Sequence, residues 1–220
     1  MQLRNVLFDF DGTLANTLPL TVHAMQILFQ KYDGRTIDHD GIVSMFGPPE
    51  EGMIANNFKN KAAIPDATEL YFEVYEKEHE RFVEKNAEIF NLLHLLKEQG
   101  IKIGLITGKA RRSYIISEEK LGFQGMFDSV ITGDDVVLPK PDPEGIKRTL
   151  ETFEANLDAS IYVGDANGDT LAGKAAGIHT AAVQWLEVSQ SSSFPAEPEF
   201  YWTKVSQFVE LLKKTTNSLL

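Results

Sequence analysis

Two aspartates stand two residues apart at the end of an apolar run, Val6-Leu7-Phe8-Asp9-Phe10-Asp11, and Gly12 and Thr13 follow at once. In an extended strand, residues i and i+2 face the same way, so both carboxylates would point to one side. Two carboxylates buried together need compensation from a cation, a shared proton or an incoming positive group. Far along the chain a second apolar run, Ile161-Tyr162-Val163, ends in Gly164-Asp165, with Asp169 four residues further on. Acids at positions 9, 11, 165 and 169 form a hard oxygen donor set suited to Mg2+, an ion that keeps several waters and takes few protein carboxylates. Such an ion would neutralise the acids and hold a phosphoryl oxygen. Lys140 would add positive charge, and the Thr107 hydroxyl with nearby backbone N–H groups would bond the remaining oxygens.

Residues so far apart in sequence can meet only if the chain lines up several strand ends. Beyond residue 84 the pattern alternates. Apolar runs at 101–106, 129–132, 161–163 and 180–183 read as strands, and they are separated by helical stripes that stop at glycines such as Gly100 and Gly122. This alternation implies right-handed crossovers and a parallel sheet covered on both faces. In such sheets a ligand sits beyond the carboxyl ends of the strands. Asp9, Asp11, Thr107, Lys109, Gly164, Asp165 and Asp169 then share one edge. The expected fold is α/β, a Rossmann-like three-layer core with a parallel sheet and a small α-helical cap.

The helical part lies at 16–84, where no strand pattern occurs. Asn16 and Thr17 are candidate caps, Pro19 suits a first turn, and short helical pieces flank the stiff turn Gly47-Pro48-Pro49. A longer helix opened by Pro65 carries Tyr71, Tyr75 and Phe82 on one side, a packing face. The expected division is a core of residues 1–15 and 85–220 and a helical cap of residues 16–84.

Composition narrows the function. Of 220 residues, 43% are hydrophobic and 24% charged, enough for a sizeable core and a soluble surface. The net charge of -11 opposes binding to nucleic acid or anionic lipid. The absence of cysteine excludes disulfides, thiolate metal sites and thiol nucleophiles. Asp9 and Asp11 interrupt the N-terminal apolar run, no stretch has the length of a spanning helix, and a cytoplasmic location is expected. The five histidines lack ligand spacing and read as packing or surface residues. Asp165-Ala166-Asn167-Gly168-Asp169 fails as a calcium loop, since its glycine comes early and Ala176 replaces the bidentate glutamate. Thr107-Gly108-Lys109 fails as a phosphate-binding P-loop, because Ile103 and Ala110 occupy required positions.

Asp9-Phe10-Asp11-Gly12-Thr13-Leu14, Thr107, Lys140 and Gly164-Asp165-Ala166-Asn167-Gly168-Asp169 resemble, in order, the four motifs of the haloacid dehalogenase superfamily. The helical stretch after the first motif is similar to the cap of its phosphoglycolate phosphatase and beta-phosphoglucomutase branch. The resemblance implies that Asp9 is a nucleophile forming an aspartyl-phosphate, and that Asp11 protonates the leaving oxygen and then activates water. It implies Mg2+ bound by the Asp9 carboxylate, the Asp11 main-chain carbonyl and Asp165, with Asp169 in support. It also implies phosphate held by Thr107, Gly108 and Lys140. The expected activity is hydrolysis of a small phosphorylated metabolite, with no nucleic-acid or membrane partner. A sugar phosphomutase or a pyrophosphatase would use the same core, a phosphonate-cleaving enzyme would need a cap lysine such as Lys59 or Lys61, and a non-catalytic binding protein would leave the motifs idle. Lys109 can touch phosphate or sit solvated at a helix start. Gly47-Pro48-Pro49-Glu50 can be a plain turn or a loop descending over the site. Oligomeric state is not legible.

Overall fold

Six strands form one all-parallel sheet in the computed structural model, which describes residues 2–216. They are β1 (Asn5–Phe8), β2 (Lys102–Ile106), β3 (Ser129–Ile131), β4 (Ser160–Gly164), β5 (His179–Val183) and β6 (Phe200–Trp202), in the spatial order β3-β2-β1-β4-β5-β6. The chain moves outward from β1 through β2 to β3, then returns to the other side of β1 with β4. The switch point of this α/β fold therefore lies between β1 and β4, where such sheets open a crevice for ligands. Register is direct: Val6 pairs with Ile103 on one side and Ile161 on the other.

All four residues of β1 are buried, as expected of a central parallel strand covered on both faces. Alternate side chains go to opposite layers. Val6 and Phe8 join a core with Ile103, Leu105, Leu92 and Phe208, whereas Leu7 joins one with Ile146, Leu150 and Ala172. Helices α5 (Ala87–Glu98) and α9 (Val205–Thr216) cover the first face, and α7 (Glu144–Phe153) and α8 (Asn167–Ala176) the second. Helix α6 (Arg111–Leu121) joins the first layer through Tyr114 and Leu121.

Between β1 and α5 the described residues hold helices and no strand: α1 (Leu18–Asp33), α2 (His39–Val43), α3 (Glu50–Asn57) and α4 (Ile64–Phe82). Helix α1 has apolar residues on two sides, Leu20, Ala24 and Leu28 on one and Val22, Met25 and Phe29 on the other, and all six are buried. It packs on α4, which in turn packs on α6 and so ties the helical segment to the sheet layers. Thr17 stands at the N-cap of α1 but makes no side-chain capping bond, because its hydroxyl donates to Asp11 instead. No helix among the described residues is long and apolar enough to cross a membrane.

Candidate active site

The strand ends deliver the expected acids to one edge, and two glycines let them come close. Asp9 follows β1 directly, and its N–H bonds the Val163 carbonyl of β4 at 2.9 Å. Gly12 turns the chain at φ +80, where an added Cβ would overlap the Asp165 carboxylate. A Cβ at Gly164 would overlap the Asp169 side chain in the same way. Gly12 and Gly164 are thus each required by a carboxylate of the site, whereas a Cβ at Gly168 would meet nothing.

Asp9, Asp165 and Asp169 are all buried, and each offers a carboxylate oxygen within 4.8 Å of the others. Lys140 Nζ lies 2.9 Å from Asp9 Oδ1 and 2.7 Å from Asp169 Oδ1. It also reaches the Tyr162 hydroxyl at 3.1 Å. Three carboxylates face one ammonium, which leaves two negative charges uncompensated. The strain shows in the acids. Burial pushes Asp9 up to about 7, with Asp169 and Asp11 adding to the rise and Lys140 opposing it. Asp165 is driven well above the carboxylate range by burial and by the charges of Asp9 and Asp169. An all-carboxylate set short of two positive charges fits a hard divalent cation, and these three residues could hold one.

The Asp11 carboxylate belongs to a different group. It accepts from the Thr17 hydroxyl and lies 3.1 Å from Lys109 Nζ. Its main-chain carbonyl accepts from the Gln190 side chain at 3.3 Å. Lys109, whose side chain is only 1% exposed, also lies 3.2 Å from Glu50 Oε1 and 4.7 Å from the centre of the Tyr75 ring. Glu50 opens α3, accepts the Ala110 N–H at 2.6 Å and accepts the Tyr71 hydroxyl at 3.2 Å. Lys109 is therefore a buried bridge rather than a solvated residue, and the loop at 47–50 comes down onto the sheet edge.

Thr107 and Gly108, just past β2, line a cavity of about 160 Å³ together with Asp9, Asp11, Lys109 and Lys140. Thr107 is buried and its hydroxyl oxygen accepts the Lys109 N–H at 3.2 Å, so that oxygen and the adjacent loop face the space beside Asp9. Two residues of this region, Tyr162 and Gln190, went unread in the sequence, which marks a third, Glu50, only as the end of a turn or descending loop. Tyr162 hides in an apolar strand, where a lone hydroxyl was the available signal. Gln190 lies in the loop before β6, and its N–H bonds Asp165 Oδ2 at 2.5 Å. The Glu50 carboxylate had only its place after Pro49 to mark it. Tyr71 and Tyr75 pack as expected, yet their hydroxyls also bond Glu50 and Ser117. Lys59 and Lys61 are exposed and lie outside the cavity wall.

A parallel sheet that gathers buried acids and a lysine at its switch point, beside a small cavity, is a site that could handle a phosphoryl group. Residues 6–183 match the family described as haloacid dehalogenase-like hydrolase, and the chain belongs to it. Two similar curated proteins are named Pyrophosphatase PpaX. That of Bacillus cereus (strain B4264) is 29% identical over 99% of this chain and 100% of its own length. That of Anoxybacillus flavithermus is 29% identical over 98% and 100%. The crystal structure of CbbY from Rhodobacter sphaeroides in complex with phosphate superposes with a TM-score of 0.82 at 18% identity, over 94% of this chain and 96% of that one. A hydrolase from Pseudomonas syringae gives 0.76 at 18% identity, over 96% and 98%. At such identities the structures establish the fold, and the family match makes the chain a haloacid dehalogenase-like hydrolase.

Proposed function

We propose that the protein is a Mg2+-dependent phosphomonoester hydrolase acting on a small phosphorylated metabolite in the cytoplasm. The observation that carries this reading is the buried Asp9 carboxylate in the wall of a small cavity, 2.9 Å from Lys140 and beside Thr107 and Gly108. A cavity of about 160 Å³ lies below the usual range for drug-sized ligands and favours a compact substrate. The net charge of -11 supports a small substrate over nucleic acid or a membrane surface.

In this reading the Asp9 carboxylate attacks phosphorus, the P–O bond to the leaving group breaks, and an aspartyl-phosphate forms. Asp11 gives its proton to the leaving oxygen, then takes one from the water that releases phosphate and restores Asp9. Its contacts with Thr17 and Lys109 hold that side chain apart from the acidic trio, which suits a proton carrier better than a ligand. Thr107, the Gly108 N–H and Lys140 hold the phosphoryl oxygens. Asp9, Asp165 and the Asp11 carbonyl would bind the ion, with Asp169 positioning Lys140 at 2.7 Å. When bound, Mg2+ supplies positive charge to the phosphoryl oxygens and the attacking carboxylate. Residues 16–84 act as a cap over the core of residues 1–15 and 85–220, and exclude water from the leaving-group side.

The test is Asp9→Asn, assayed on p-nitrophenyl phosphate with Mg2+. Turnover falls by roughly a thousandfold or more while the melting curve stays cooperative. Wild-type activity in that variant would end the nucleophile assignment. Pyrophosphate is the alternative substrate, favoured by the name of the Bacillus relatives.

A further inference from the structure

The phosphatase reading leaves the leaving group open, and the charges around the cavity bear on it. Among the described residues, Lys109 and Lys140 are the cations in its wall. Lys140 is committed to Asp9 and Asp169. Lys109 carries three N–H donors, and three partners surround it: Asp11 at 3.1 Å, Glu50 at 3.2 Å and the Tyr75 ring at 4.7 Å. Glu50 is itself pinned, by the Ala110 N–H at 2.6 Å and the Tyr71 hydroxyl at 3.2 Å. The helical segment's remaining share of the wall is uncharged, with Leu18, Thr21, Phe46, Pro48 and Met53.

Resting on that reading, we infer that Glu50 is a specificity-determining residue: by cancelling Lys109 it selects phosphomonoesters whose leaving group is an uncharged short alcohol. A carboxylate or second phosphate on the leaving group would enter a cavity already lined by Asp9, Asp11, Asp169 and Glu50, where both lysine side chains already have carboxylate partners. An unpaired anion in such a site loses its hydration without return. An alcohol carries no such penalty and gains contact with Met53 and Phe46.

The experiment compares kcat/KM, with Mg2+, for 2-hydroxyethyl phosphate and phosphoglycolate. These share a skeleton and the bond to be broken, and differ in an alcohol against a carboxylate. Inorganic pyrophosphate is run beside them. The wild type favours the hydroxyethyl ester by about tenfold or more, a ratio set by one unpaired charge. Glu50→Gln removes one negative charge from the wall, leaves Lys109 to Asp11 alone, and moves the ratio toward phosphoglycolate by a comparable factor. A merely structural Glu50 would lower both substrates alike and leave the ratio in place. Should Glu50→Gln lose its cooperative melt, Met53→Lys adds a cation to the same wall and shifts the ratio in the same direction. Preference of the wild type for phosphoglycolate or pyrophosphate overturns the proposal, as does an unmoved ratio in the folded variants. No turnover of any of these, nor of p-nitrophenyl phosphate, overturns the hydrolase reading itself.

Discussion

Two lysines are buried at the same sheet edge, and their partners come from different places. Lys140 meets Asp9 after β1, Asp169 in α8 and Tyr162 in β4, all belonging to the sheet and the layers that cover it. Lys109 meets Asp11 after β1, but its other partners are Glu50 at the start of α3 and Tyr75 in α4. The first cluster is complete whether or not the helical segment is docked. The second is complete only while α3 and α4 rest on the sheet edge. The charges around Asp9 are therefore preset by the strands, whereas those at the seam report the position of the helices. Removing one partner of a buried ion pair costs about 3–5 kcal/mol when the rest cannot relax. It costs less where the structure can part and admit water.

Lys140→Met gives the largest effect. It leaves Asp9, Asp165 and Asp169 with no cation at strand ends that cannot move apart. In metal-free buffer the loss is about 3–5 kcal/mol, a fall in Tm on the order of 10 °C for a chain of this size. Added Mg2+ recovers more of the Tm in this variant than it adds to the wild type, because ligand binding to the folded state stabilises it by mass action. Equal metal-induced shifts in the two proteins would show that the acids do not share one cation site.

Lys109→Met gives a smaller effect with a different distribution. Glu50 keeps the Ala110 N–H and the Tyr71 hydroxyl, and the helices can lift to let water reach both acids. The global cost is about 1–3 kcal/mol, the scale for one lost partner of a hydrogen-bonded group. Amide exchange resolved by peptide should rise in α3 and α4 and stay unchanged in β1 and β4. A uniform rise across both regions would erase the distinction between the clusters.

The same division separates what was legible in the sequence from what was not. The strand ends were legible because a buried parallel strand writes itself as an apolar run, and the polar residue that ends it is conspicuous: Asp9 after Phe8, Thr107 after Ile106, Asp165 after Gly164. The helical nature of 18–82 was legible from its period and its prolines. The seam was not. Lys109 and Glu50 are charged residues at element starts, where solvation is the usual outcome, and their burial depends on a contact between residues 59 positions apart. Thr17 looked like a cap because its type and place suit one, and a nearer acceptor, Asp11, took its hydroxyl. Gln190 reaches the site from a Ser- and Pro-rich loop with no periodic signal to mark it.

The smallest predicted effect concerns the far end of that seam. His79 of α4 is 1% exposed, its Nε2 lies 3.0 Å from Ser117 Oγ of α6, and its Nδ1 is buried without a hydrogen-bond partner. The Tyr75 hydroxyl shares the same serine at 2.9 Å. Burial pushes His79 down to about 4, and the charges of Lys109 and Lys120 push the same way against Glu80. An unfolded histidine titrates near 6.5, so between those values the unfolded chain holds a proton that the folded chain refuses. The folded state then loses stability as pH falls through this window and keeps the full contribution above it. Carboxylates add their own acid sensitivity, so the readout is a difference between proteins. Tm measured from pH 7 to pH 4 should fall less steeply in His79→Gln than in the wild type, by up to about one proton's worth of slope. Parallel curves would mean that His79 takes its proton in the folded state as readily as in the unfolded one, with α4 still packed on α6.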